Sequence, residues 1–263
     1  MRKRATMAAI ASAVALSVLV VPDGAQADEV VGDTTMDVVI NGGSDIVLGT
    51  TKPKTFTIAV TATDDSGIKE DYNVPALWYG PGPKGPDDPY GLVVPDNGAG
   101  DCVAHNATTT TCTFIMTMNP RIEPQDNTTA GTWKLTASAT GNDWDHVHKD
   151  IAATVKVRRY AKLTVNASPE PVKKGKSLAV TGNLTRASWE SYRYAGYAGQ
   201  PVKLQFRKKG TNTYTTVKTV SAGRGGALKT AVKAAADGYW RWSFSGTSTT
   251  STATAPGDYV DVR

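Results

Sequence analysis

The stretch TDDSG sets Asp64 and Asp65 side by side just after an alternating apolar run. GNDWDHVHKD sets Asn142, Asp143, Asp145 and Asp150 just before another. Carboxylates and amide carbonyls are hard oxygen donors. Ca²⁺ collects about six to eight such oxygens, with backbone carbonyls and water completing the shell. The spacing is not that of an EF-hand, and the same residue types also build turns by bonding their own backbone. The calcium reading therefore depends on the fold gathering the two stretches at one place. His146 and His148, with Asp145 or Asp150, offer a Zn²⁺ alternative, against a plainer reading as exposed histidines at a loop edge. His105 lies between the cysteines with no evident partner.

Catalytic signatures are scarce. The chain contains no HExxH, no GxSxG and no phosphate-cradling glycine loop. All three histidines precede residue 150, so a Ser–His–Asp site would need an arrangement that no motif announces. We read the chain as a non-enzyme. A hydrolase, or a hydrolase inhibitor, is the rival from another class. An inhibitor needs only a rigid exposed loop, and YGPGPKGPDDPYG is long and stiffened by proline.

A second concentration of chemistry is aromatic and basic. SWESYRYAGYAG carries Trp189, Tyr192, Arg193, Tyr194 and Tyr197, and FRKKG adds Arg207, Lys208 and Lys209. Read as a loop between strands, this set could stack rings while its cations hold phosphate. The same aromatics would equally cap the open end of their own fold. DGYWRWSFSG poses a related question, because Trp240, Trp242 and Phe244 alternate. They are either a stacking platform or the buried face of a strand.

The elements around these residues read as β throughout. FTIAVTAT, VKLQFR, TYTTVKTV and IAATVKV alternate apolar with polar, the period of half-buried strands, and no long stretch has helical periodicity. The chain also repeats itself. GTWKLTASA from Gly131 and GYWRWSFSG from Gly238 match position by position. Each is followed by a loop and a strand ending Val-x-Val-Arg, at Arg158 and Arg263. The repeat answers the aromatic question: Leu135 and Ala137 stand where Trp242 and Phe244 do, so the shared face is core. Two tandem antiparallel β-sandwiches of immunoglobulin-like type fit the lengths, residues 28–159 and 160–263.

On these residues the chain resembles known families. TATDDSGI with GTWKL before a final strand is similar to bacterial immunoglobulin-like domains. The region from KLTVNASPEPVKKGK through YAGQPVKLQFRKKG and DGYWRWSF to DYVDVR resembles the C-terminal domain of secreted actinobacterial proteins, usually described as hypothetical or calcium-binding. The resemblance implies the fold strongly and the function weakly. The inter-sheet cysteine pair of antibody domains is absent.

The ends and the charge complete the expectations. Arg2, Lys3 and Arg4, the apolar run Met7–Val21 and Ala25-Gln26-Ala27 read as a signal peptide over residues 1–27. The product is then secreted and extracellular, with no membrane span, and in that oxidising space Cys102 and Cys112 should pair across a hairpin. From Asp28 to Arg159 there are 10 Lys and Arg against 18 Asp and Glu; from Tyr160 onward there are 16 against 5. A basic half outside a cell would be drawn to an anionic cell-wall polymer, or to another extracellular protein, and to nucleic acid without specificity. The expectation is a secreted, non-catalytic binding or structural protein with Ca²⁺ as its candidate ligand. Its rival is an adhesion module that holds anionic polymer on the basic half.

Overall fold

The computed structural model describes residues 28–80, 90–124 and 126–263. The proposed signal peptide, and the part of the proline-rich loop between residues 81 and 89, lie outside them. In the first half the chain forms β1 (Glu29–Val31), β2 (Thr35–Ile40), β3 (Ile46–Leu48), β4 (Lys54–Thr63), β5 (Ala76–Tyr79), β6 (Gly91–Val93), β7 (Asp101–Ala104), β8 (Thr109–Met118), β9 (Gly131–Thr140) and β10 (His146–Arg159). One sheet runs β1-β10-β9-β5-β6, with β3 joining β10 in parallel; the other runs β2-β4-β8-β7.

In the second half follow β11 (Ala161–Leu163), β12 (Asn166–Ser168), β13 (Ser177–Ser188), β14 (Arg193–Gly196), β15 (Pro201–Lys208), β16 (Thr215–Ser221), β17 (Ala227–Lys233), β18 (Gly238–Phe244), β19 (Ala253–Thr254) and β20 (Asp258–Val260). Here β11, β12, β14 and β17 all pair with β13. The facing sheet runs β16-β15-β18-β19, with β20 also on β18. The chain is an all-β pair of immunoglobulin-like sandwiches, and among the described residues it forms no α-helix.

Strict alternation makes the strands. In β8, Thr110, Cys112, Phe114, Met116 and Met118 are buried while their neighbours are half-exposed. The outward threonines bond across to β4, Thr61 to Thr111 at 2.8 Å and Thr55 to Thr117 at 3.0 Å. Such pairs hold strands in register from the solvent side. Cys102 and Cys112 face each other on β7 and β8 and form the disulfide, with Cα atoms 4.0 Å apart.

The repeat strands carry the cores. Trp133, Leu135 and Ala137 of β9 are buried in the first, and Trp240, Trp242 and Phe244 of β18 in the second. Lys134 and Arg241 are only half-buried. The tryptophans of DGYWRWSFSG are therefore architectural. One detail departs from the sequence match, which equates Val157 with Val262. In the ladders Gly131 faces Val157, whereas Gly238 faces Val260. The offset is two residues, an even number, so the same face stays inward.

No linker separates the halves, because β10 ends at Arg159 and β11 begins at Ala161. The buried clusters do not divide at that point in the sequence either. Ala187 and Trp189, from the end of β13, belong to the core of the first sandwich. Trp189 is fully buried, and its indole N–H donates to the Gly49 carbonyl at 3.0 Å. Emptying a buried aromatic site of this size costs about 3–5 kcal/mol. Trp189→Ala should therefore loosen the first sandwich, read as lost hydrogen-exchange protection in β8 and β9 alongside reduced stability of the whole chain. A loss under about 0.5 kcal/mol, the scale of an ordinary surface change, would contradict the burial.

Candidate metal centre and the predicted binding residues

The acidic stretches do meet. Asp64 follows β4 in one sheet, and Asp143 and Asp145 lie in the loop from β9 to β10 in the other. Oxygens of these three carboxylates lie within 4.8 Å of one another. Asp33, Asp64 and Asp65 form a second such group. Asp33 sits in the turn where the chain crosses from β1 to β2, and the sequence reading missed it. Its signal was a Gly-Asp turn, but only the pairing of Val31 with His146 sets that turn beside Asp145.

Hydrogen bonds fix the three loops to each other. Asp64 is 1% exposed. It accepts from the Thr34 hydroxyl, the Ser66 hydroxyl and, at 2.9 Å, the Ser66 backbone N–H. The Asp143 N–H donates to Ser66 Oγ at 3.2 Å, and the Asp33 N–H to Asp145 at 3.3 Å. Close approach demands glycine at two points. A Cβ on Gly141 would fall 2.4 Å from the Asp64 carboxylate, and one on Gly32, where φ is +76°, 1.5 Å from an Asp145 oxygen. Trp144 also holds a positive φ of 77° within the loop, 59% exposed, with the Lys69 ammonium 4.3 Å above its ring.

Burial pushes the Asp64 carboxyl up, but hydrogen bonds from Ser66 and Thr34 outweigh it and hold the group below the usual range. Asp33 moves the other way, raised by lost hydration and by the neighbouring Asp65 and Asp64 charges. A depressed carboxyl stabilises the fold above its unfolded pKa, near 4, and loses that contribution as pH falls through its folded value. Asp64→Asn should thus lower the melting temperature at pH 7. Its deficit against the parent should shrink as pH is taken from 5 to below 3. A deficit constant across that range would mean that packing, not ionisation, is what the substitution removes.

Two residues predicted for this site do other work. Asn142 turns its amide nitrogen to the Ser66 carbonyl at 2.9 Å, tying the loops rather than offering its oxygen to an ion. Asp150 lies inside β10, within a register shift where the strand gains residues on β9, and pairs with His148 at 3.2 Å. Because β10 begins at His146, Asp150 lies five residues along an extended strand from Asp145, away from the cluster. His146 faces Glu29 at 3.7 Å, and His105 bonds Thr111 at 2.8 Å. Neither acidic group contains a histidine.

Ser138, His148 and Asp150 are linked in line, with 2.8 Å from Ser138 Oγ to His148 Nδ1 and 3.2 Å from His148 Nε2 to Asp150. Acyl transfer also needs N–H groups converging on one developing oxyanion. Ser138 lies within β9 opposite His148, where successive N–H groups point to opposite edges of the strand. This constellation is a cross-strand polar patch.

The aromatic and basic set separates into two places. SWESYRYAGYAG is not a free loop but the β13–β14 hairpin at the junction of the sandwiches. Trp189 is core, which removes it as a ligand-binding residue. Tyr194 packs against the same core, with the Lys162 ammonium 3.6 Å above its ring. Tyr192 meets Arg121 of the first sandwich at 5.5 Å, and Tyr197 lies under Arg186 at 3.8 Å. Arg193 stays exposed at the start of β14. Arg207, Lys208 and Lys209 lie elsewhere, at the end of β15 that pairs with Gly238 and Tyr239. The far end of β18 leads to Thr249–Ser251, which bond Arg159 at the junction. The two groups are roughly one strand length, about 20 Å, apart.

No family model matches the chain, and no curated protein matches it. Solved structures similar to it include the D00-D0 domain of intimin, at 11% identity over 86% of this chain and 99% of that one, with a TM-score of 0.28. Three N-terminal domains of the bacteriophage RB49 outer capsid protein Hoc align at 13% identity over 88% and 70%, with a TM-score of 0.31. A structure described for host cell surface retention of a bacterial ice-binding adhesin aligns at 12% over 89% and 66%, with a TM-score of 0.28. Superpositions this loose carry no functional weight. No helix among the described residues is long and apolar enough to cross a membrane.

Proposed function

We propose that this chain is a secreted, non-catalytic binding and structural module of two domains, residues 28–159 and 160–263, whose acidic end takes Ca²⁺. The observation that carries the reading is the convergence of Asp33, Asp64, Asp65, Asp143 and Asp145 from three loops that belong to both sheets. Five carboxylates at one edge repel each other. An ion of hard, oxygen-seeking character removes that repulsion and ties the loops. Asp64, already ionised and oriented by Ser66 and Thr34, supplies the fixed ligand. The more exposed Asp33, Asp65 and Asp143 close around it, with water completing the shell. The ion would act as a clamp on the fold rather than as a Lewis acid. The disulfide fits an oxidising compartment.

An ion that binds only the folded state stabilises it by mass action, about 2.7 kcal/mol at a hundred times its dissociation constant. Millimolar Ca²⁺ should therefore raise the melting temperature of the full chain by several degrees, and chelator should reverse the rise. The double variant D143N/D145N should lose that response while keeping its fold. An unchanged melting temperature in Ca²⁺, or an equal rise in the double variant, would sink the reading.

A further inference from the structure

The outer face of the β15–β18–β20 sheet carries a second feature, independent of the acidic end. Arg207, Tyr239 and Tyr259 stand side by side across three strands, and Gln205 stands opposite Arg241 in the next outward row. The rings of Tyr239 and Tyr259 are 5.1 Å apart. The Arg207 guanidinium lies 4.0 Å over Tyr239, and that of Arg241 3.6 Å over Tyr214. The Arg241 Nε–H donates to Gln205 at 2.8 Å, and an Arg207 terminal N–H to the Thr211 carbonyl at 2.6 Å. Each guanidinium is thus held flat and oriented, and each has five N–H donors in all. One row further along, Lys203 faces Ser243.

From this geometry we infer that the face is a docking surface for a linear phosphodiester polymer without aromatic bases. Arg207, Arg241 and Lys203 occupy successive diagonal positions on one strand pair. Diagonal neighbours on a sheet are roughly 7–8 Å apart, so the three side chains leave the sheet along a zigzag with a regular step. A chain that carries its charge in its own backbone, once per short repeat, can follow such a line. Ring-stacked guanidiniums are pre-organised for the forked contact that phosphate oxygens accept. The surroundings match in sign: 16 Lys and Arg against 5 Asp and Glu from Tyr160 onward. Asp237, beside the face at the Tyr259 hydroxyl, is already engaged by the Val262 N–H and by Lys209. Single-stranded nucleic acid fits less well. Base stacking needs a bare aromatic face, yet here the cations sit over the rings, and Trp240 and Trp242 are buried.

The test uses the full chain and a fluorescent short poly(glycerol phosphate), read by anisotropy across a salt series. Binding should be strong at low salt and fall steeply as salt rises. R207Q/R241Q should weaken it about tenfold or more and reduce the salt slope by about 1.4, the share of two phosphate contacts. K229Q/K233Q removes the same charge from exposed positions on the opposite sheet, and should change affinity less than about twofold. Melting curves confirm that both variants fold. Equal losses in the two variants would reduce the surface to general charge and overturn the proposal, as would absence of binding. Tighter binding of oligothymidylate carrying the same number of charges would reassign the face to nucleic acid. A mass that rises with protein concentration, and does not do so in R207Q/R241Q, would reassign it to a second copy of the chain.

Discussion

A tryptophan from one sandwich completes the core of the other, and the placement of both proposed binding surfaces depends on that contact. Trp189 has no exposed surface, and its N–H groups are taken by Asn127 and Gly49 of the first half. Beside it Arg159 is buried, with its Nε–H donated to the Ala187 carbonyl at 2.6 Å. Burial and the nearby Arg186 lower its pKa to about 10, which leaves it charged at neutral pH. A buried cation held by a backbone carbonyl tolerates little displacement, because moving the strand strands the charge. The backbone bonds from Tyr160 to Leu48 and from Ser251 to Arg159 close the same joint.

The joint sets the direction of the charge asymmetry. β10 begins at the acidic cluster and ends at Arg159, a run of 14 residues, so the acidic end of the first sandwich points away from the junction. Arg207 and Lys209 lie at the end of β15 away from the junction in the second. The acidic cluster and the Arg207 and Lys209 end are thus held at opposite poles. The two proposed ligands, a hard cation and a polyanion, would then meet different poles.

Aromatic residues play three separate roles here, and their environments tell them apart. Trp133, Trp240 and Trp242 fill cores, Trp189 and Tyr194 seal a joint, and Tyr214 and Tyr239 hold arginines in place. None of the three roles is sugar stacking, although all three draw on residues that composition alone would group together.

The sequence by itself determined the long alternating strands, the repeat and the pairing of the cysteines. Each rests on a local signal: the two-residue period, the Gly-x-Trp match, and two cysteines in a short hairpin. It also disclosed Asp64, Asp65, Asp143 and Asp145, because paired acids next to strand ends are visible without a fold. It did not disclose Asp33, which joins them only through the pairing of β1 with β10. Asp150 was misplaced because the strand starts at His146, earlier than the polar run HVHKD suggests, and Trp189 because an aromatic next to a strand reads the same whether it faces solvent or a neighbouring domain. The arginine ladder was out of reach for a similar reason. Arg207, Tyr239, Arg241 and Tyr259 are scattered over 53 positions of sequence, and they become a surface only when antiparallel register sets their strands side by side. Period and composition are properties of a segment. Register, bulges and domain contacts are properties of pairs of segments, and only the tertiary structure decides those.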